Sequence, residues 1–139
     1  MNHIVISNIK NIDIDNLQHL FLSVGWESGD YPDELAKAIS RFSSVFSAWD
    51  KNRLVGLICS FDDGYLNAYI QYLLVDPKYQ REGIGHKLMA ALMDRYRNLK
   101  NISLLSYKES INFYEALGFK KDDEAFAMSC YRFTTNPKT

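Results

Sequence analysis

The longest β-forming run in the chain, "NAYIQYLLVD" at residues 67–76, ends at Pro77 and passes through "KYQREGIG" directly into an apolar-periodic helix. Proline cannot continue a ladder and pushes the residue before it toward an extended conformation, so this strand closes at Asp76. The helix, from about Gly83 to Arg97, carries Ile84, Leu88, Ala91, Leu92 and Tyr96 on one face. The β-rich run "NISLLSY" at 101–107 comes next. Strand, helix and strand in that order form a helical crossover, and a chain containing one belongs among the mixed α/β architectures.

The remaining elements fit around this unit. "HIVIS" at 3–7 alternates like a short strand. "DIDNLQHLFLSVG" then places Leu17, Leu20, Phe21 and Val24 on one helical face, with Gly25 as a C-terminal stop. "DYPDELAKAISRF" puts Pro32 at a first helical position, acids in the first turn, and Leu35, Ala38, Ile39 and Phe42 in register, which predicts a second helix. "SVFSAWD" and "RLVGLICSF" flank Asp50-Lys51-Asn52 and read as a hairpin, and Asp62-Asp63-Gly64 supplies the next turn. Beyond the crossover come the short helix "SINFYEALG", ended by Gly118, and a last strand pair around "FKKDD" and "AFAMSCYRF". The tail "TTNPKT", residues 134–139, reads as disordered.

Gly83 and Gly85 at the mouth of a helix need a reason, because glycine weakens a helix by roughly 1 kcal/mol relative to alanine. A strand end that turns into a helix N-terminus gathers several backbone N–H groups at the positive end of the helix dipole. Glycines there let an anion approach the backbone without a Cβ in the way. Two familiar anion loops are excluded: Leu88 stands where the dinucleotide fingerprint needs its third glycine, and no G-x-x-x-x-G-K-[ST] string exists. The remaining pattern is Q-x-x-G-x-G, Gln80 through Gly85.

A length of 139 residues suits one domain with its own core. The formal net charge of -1 offers no basic footprint for nucleic acid and no polybasic face for a membrane, so an anionic ligand must be held locally. Cys59 and Cys130 lie far apart in apolar stretches and read as buried reduced thiols, and no metal-ligand spacing is present. No apolar run reaches membrane-spanning length, and "MNHIVISNIK" is unlike a signal peptide. A cytoplasmic location is the expectation.

"VDPKYQREGIGHKLM" resembles the acetyl-CoA loop of the GNAT acetyltransferase superfamily, whose signature is [Q/R]-x-x-G-x-[G/A] after a V-x-P-x-Y strand end. "INFYEALGF" at 111–119 resembles that family's second signature, and the two stand in the family's order and spacing. The element order is similar to the GNAT fold over residues 3–133, implying a single domain over 1–133. The fold implied is α/β (α+β), a mixed, mostly antiparallel twisted sheet of about six or seven strands flanked by about four helices. "VFSAWDKNRLVGLICSFDDG" is similar to short members that include plant-type serotonin acetyltransferases, a likeness too loose to fix a substrate.

The resemblance implies acetyl-CoA as co-substrate, with no metal. Its pyrophosphate would lie on the loop Gln80, Arg81, Glu82, Gly83, Ile84, Gly85, His86 and Lys87, its pantetheine arm along Leu73, Leu74 and Val75, and Asn112 and Phe113 beside it. Tyr114 falls on the family's usual general acid for the leaving thiolate; its alternative is a packed tyrosine bonded to the backbone. Backbone N–H groups near Leu73 or Leu74, where the family's strand bulge splays the sheet, would polarise the thioester carbonyl.

Two departures concern the amine. Tyr69 and Gln71 stand where many relatives carry a Glu or His base, and neither is a good base at neutral pH. Either a water chain reaches a nearby acid, with Asp30, Asp62 and Glu27 as loop candidates, or the amine arrives neutral. Tyr107 replaces an Asn that commonly bonds the coenzyme, and it lies against the coenzyme or faces the acceptor pocket. Trp26 and Tyr31 bracket the loop that usually covers the acceptor; with Tyr65, Tyr69 and Tyr72 they suggest an aromatic-lined pocket attractive to cations.

The activity expected is N-acetyl transfer to a primary amine of a small molecule, aralkylamines and polyamines included, or of a protein. The competing reading is a non-catalytic acyl-CoA-binding module. A homodimer is compatible with the resemblance.

Overall fold

Apolar periodicity and end signals together set the element boundaries. The Asp13 carboxylate accepts the N–H of Asn16 at 3.0 Å and caps α1, Ile14–Ser23. Pro32 opens α2, Pro32–Arg41. The computed structural model describes residues 3–133; the tail at 134–139 lies outside the described residues. Five strands are present among them: β1 (Ile4–Ser7), β2 (Ser44–Asp50), β3 (Arg53–Asp62), β4 (Asn67–Val75) and β5 (Asn101–Leu104). Two more helices, α3 (Ile84–Arg95) and α4 (Ile111–Ala116), flank β5 in sequence, and a 3-10 turn at Glu27–Asp30 joins α1 to α2.

The sheet runs β1-β2-β3-β4-β5, antiparallel through β4 and parallel between β4 and β5. Helices α1 and α2 bury Leu17, Leu20, Phe21, Leu35 and Ile39 against one face. Helix α3 buries Ile84, Leu88, Met89 and Leu92 against the other. Burying one such aliphatic side chain contributes about 1.5–3 kcal/mol, so the two layers hold the sheet between them.

Two features of β4 position the site. Cys59 pairs with Tyr72 but Ser60 pairs with Ile70, leaving Gln71 as an extra residue on β4. Such a bulge reverses the facing of the residues beyond it: Ala68 and Ile70 pack toward α3, whereas Tyr72 and Leu74 pack toward α1 and α2. Tyr72 separates this extra residue from Leu73. The second feature is that pairing with β5 ends at Ile70↔Leu104, where β5 itself ends, so β4 runs on beyond Ile70 without it.

The sheet has five strands among the described residues, fewer than the six or seven expected. The final pair is the difference. Lys120, Lys121, Asp122, Asp123 and Glu124 lie outside any strand, and the Asp122 carboxylate accepts the N–H groups of Glu124 and Ala125, a local turn that competes with a ladder. Phe126 and Met128 are 81% and 93% exposed. The segment instead anchors by its end, where Tyr131 and Phe133 return to the α1–α2 connection. Cys59 is buried, which pushes its thiol pKa well up, but Cys130 is exposed, contrary to expectation, because the segment that carries it joins no sheet.

Candidate active site

The Gln80–Lys87 loop turns into α3 at its first glycine. Gly83 caps α3 at φ 83°, a left-handed conformation that costs a residue with a Cβ roughly 1–2 kcal/mol. The first intrahelical bond runs from the Lys87 N–H to the Gly83 carbonyl at 3.0 Å, placing the N–H groups of Ile84, Gly85 and His86 ahead of the ladder. Gln80 donates its side-chain amide to the Val75 carbonyl at 2.9 Å, tying the loop back to the end of β4. Arg81, Glu82, His86 and Lys87 are exposed around this mouth. No atom lies within 4 Å of a Cβ built at Gly83, so the space beside this residue is open.

The two sequence signatures meet here. The Phe113 ring lies 4.9 Å from the His86 ring, edge to face, and its Cζ would touch a Cβ on Gly85 at 3.4 Å. Tyr114 is next in the chain, half-buried against the α3 layer and in edge contact with Phe113 and Phe119 at 5.1 and 5.9 Å. Burial raises its pKa, so the phenol is a proton donor, not a phenolate, at neutral pH. Asn112, one residue before Phe113, is exposed. Back from the loop, β4 runs through Val75, Leu74 and Leu73 to Tyr72, all beyond its last residue paired with β5.

On the α1–α2 side of β4 an aromatic cluster forms around Tyr72. Trp26 lies 6.0 Å from Tyr72 and 6.4 Å from Tyr107, ring centre to ring centre. Tyr31 meets Phe133 at 5.6 Å, and Phe133 meets Tyr131 at 5.4 Å. Within the same 3-10 turn, Ser28 shares a 3.1 Å hydrogen bond with the Tyr72 hydroxyl. Beside it Glu27 is only 6% exposed, and the Tyr131 hydroxyl donates to its Oε1 at 2.9 Å. Burial, together with donation to Glu27, pushes the Tyr131 phenol up to about 12. Burial likewise raises Tyr72.

The structure therefore brings Trp26, Tyr31, Tyr72 and Tyr107 together, with Tyr131, Phe133 and Glu27 added. Tyr69 stands opposite Phe61 on β3, and Gln71 is exposed in the bulge. Tyr65 does not join them: it sits in the β3–β4 turn, 84% exposed. Of the loop acids, Asp62 accepts from Tyr96 at 2.7 Å at the far end of α3, and Asp30 is exposed. Sequence reasoning misses Tyr131 and Phe133 because nothing local announces that an unpaired terminal segment returns to a loop so far back in the chain. Among the described residues no group of three metal-ligating side chains is gathered.

The arrangement has parallels among known proteins. The chain matches the Acetyltransferase (GNAT) family over residues 11–119. It is 32% identical over 130 residues to an uncharacterized N-acetyltransferase, ycf52, of Porphyra purpurea, covering 89% of this chain and 74% of that one. It is 31% identical over 137 residues to histone acetyltransferase TAP1 of Glycine max, covering 89% of this chain and 59% of the relative. This chain thus spans about three fifths of that relative's length. A GNAT-family acetyltransferase structure from Streptococcus pneumoniae TIGR4 superposes with a TM-score of 0.80 at 27% identity, covering 94% of this chain and 98% of the other.

Proposed function

The chain belongs to the GNAT acetyltransferase family, and on that premise we propose that it transfers the acetyl group of acetyl-CoA to a primary amine of a small molecule or a protein. The observation that carries this reading is the mouth of α3: Gly83 in a left-handed conformation ahead of three N–H groups outside the helical ladder, with Phe113 packed against His86 and next to Tyr114, and β4 running on beyond its last pair with β5. The N–H groups of Ile84, Gly85 and His86 receive the pyrophosphate, with Arg81 and Lys87 as flanking cations. The pantetheine arm adds to β4 along Leu73, Leu74 and Val75, in the manner of an extra strand.

The chemistry is set by the groups along that path. N–H groups of β4 beyond the bulge bind the thioester oxygen as negative charge develops on it. The amine nitrogen attacks the carbonyl carbon, the C–N bond forms and the C–S bond breaks. Tyr114, protonated at neutral pH, donates toward the departing thiolate. Trp26, Tyr31, Tyr69, Gln71 and Tyr107 border the acceptor.

The absence of a Glu or His at Tyr69 and Gln71 favours a second reading, in which the chain binds acyl-CoA without turning it over. Thermal shift with coenzyme A and thiol release from acetyl-CoA across a panel of amines separate the two. Transfer requires both signals; a binding module gives the shift alone, and neither signal refutes both.

A further inference from the structure

The turn that carries the chain from β4 into the Gln80–Lys87 loop is built on Asp76, a residue only 2% exposed. Its N–H donates to the Val55 carbonyl at 2.8 Å, its carbonyl accepts the Tyr79 N–H at 2.8 Å, and its Oδ1 accepts the Lys78 N–H at 2.9 Å. The other carboxylate oxygen is placed differently. Among the described residues Asp76 Oδ2 is buried without a hydrogen-bond partner, and so is Nε of Arg53, the first residue of β3. Arg53 Nη2 stands 3.5 Å from Oδ2, an ion pair without a hydrogen bond, and donates instead to Nε2 of His19 on α1. A guanidinium can only donate, so His19 is neutral there with its proton on Nδ1. His19 Nε2 is itself 3.9 Å from Asp76 Oδ2. Two basic side chains thus stand before one buried oxygen that neither of them bonds.

We infer that Arg53 is a positioning residue for the coenzyme turn: it supplies the counter-charge to buried Asp76, and neutral His19 holds its guanidinium in place. This assignment rests on the reading of the Gln80–Lys87 loop as the coenzyme site. A buried carboxylate stripped of its partner either takes up a proton or turns toward solvent, and both disturb the bond from Oδ1 to Lys78. Lys78 lies two residues before Gln80, so the loss of Arg53 reaches the coenzyme loop without touching the ligand. His19 is the reserve cation. As an imidazolium it donates from Nε2, and the unbonded Oδ2 is the acceptor in front of it. A charged His19 and Arg53 repel each other, so the two serve Asp76 as alternatives. The charged groups that face His19 are Arg53 from β3, Asp76 from the end of β4 and, one turn earlier on α1, Asp15. Asp50 and Tyr79, joined by a 2.6 Å hydrogen bond, lie behind Arg53 and Asp76, and Lys51 lies in the exposed turn between β2 and β3.

The test is the Kd for coenzyme A, measured by titration calorimetry at about pH 8 and about pH 5.5 and taken as the ratio of each variant to wild type at the same pH. Arg53→Met keeps an apolar stem and removes the charge. At about pH 8 it should bind coenzyme A about tenfold more weakly, the middle of the range for groups coupled in one charge network. At about pH 5.5, where imidazoles carry their second proton, His19 takes over and the deficit should close. In Arg53→Met/His19→Gln the deficit should persist at both pH values. In Arg53→Met/Asp76→Asn no charge is buried and the amide oxygen still accepts the Lys78 N–H, so affinity should recover at both. A deficit in Arg53→Met that is the same at both pH values, or a loss that deepens when Asp76→Asn is added, is the signature of packing alone and would overturn the assignment. Nitrogen-15 NMR of the wild-type His19 ring tests it without any variant. At about pH 8 Nδ1 should carry the proton and Nε2 should be bare; a proton on Nε2 would overturn the assignment even if Arg53→Met fails to fold. No binding of coenzyme A by the wild type would overturn the coenzyme reading itself, and this assignment with it.

Discussion

Replacing Gly83 separates strain in the fold from obstruction of the ligand. The residue sits at φ 83° with no atom within 4 Å of the Cβ position, so alanine there adds backbone strain but no clash. That strain is about 1–2 kcal/mol, which lowers Tm by about 3–8 °C for a domain of this size. On the proposed reading, the pyrophosphate lies against this loop and the added side chain obstructs it. At a coenzyme A concentration about a hundredfold above the wild-type Kd, binding stabilises by about 2.7 kcal/mol; a tenfold weaker variant retains about 1.4 and a hundredfold weaker one about 0.4. Gly83→Ala should therefore show about half the coenzyme-induced rise in Tm, and Gly83→Val almost none. Gly85→Ala is the internal control. Its Cβ would meet Phe113 at an ordinary 3.4 Å, and alanine favours helix, so its unliganded Tm should hold or rise. Differential scanning fluorimetry with and without coenzyme A reads all three variants. If Gly83→Ala and Gly83→Val lower the unliganded Tm but leave the coenzyme-induced rise at the wild-type value, the anion site is elsewhere.

Tyr114→Phe should lower kcat by about tenfold to hundredfold with little change in KM for acetyl-CoA, because the ring remains and only the donated proton is lost; steady-state kinetics on acetyl-CoA check this. Gly29→Ala brings a Cβ to 2.8 Å from the Leu22 side chain, so the unliganded Tm should fall by the equivalent of about 1–3 kcal/mol while the coenzyme-induced thermal shift is kept; differential scanning fluorimetry reads both. Tyr131 titrates near 12 in the folded chain against about 10 for an ordinary phenol. A raised pKa means the folded state holds the proton more tightly, so this contribution to stability is complete below about pH 10 and is lost as pH rises through about 12. Tyr131→Phe should accordingly flatten the alkaline end of a Tm-versus-pH series.

Most element positions are legible because each carries a local signal: Asp13 before α1, Pro32 at the start of α2, Pro77 after β4, Gly83 at α3. Apolar, β-rich runs on either side of a turn also place the β2–β3 hairpin. The features that cannot be read are set at a distance. The extra residue at Gln71 exists only relative to β3, and it turns Tyr72 to the face opposite the one alternation from Ile70 assigns. Glu27 reads as one of three loop acids, since its burial beside Tyr131 is a tertiary outcome that a polar loop sequence does not announce. "AFAMSCYRF" has the apolar content of a strand, but the charged run before it and its two terminal rings decide its course. The left-handed turn at Gly83 that opens α3 is legible for the opposite reason: a positive φ calls for glycine at a fixed local position, which leaves a mark in sequence.

The most direct test of the account is product analysis. The protein is incubated with acetyl-CoA and a panel holding an aralkylamine, a polyamine and a lysine-containing peptide, and free coenzyme A and acetylated amine are quantified together by mass spectrometry. The account predicts that at least one amine gains an acetyl group in a one-to-one ratio with coenzyme A released, and that Gly83→Val abolishes both. Coenzyme A released with no acetylated amine, or no release despite a clear binding signal, would contradict it.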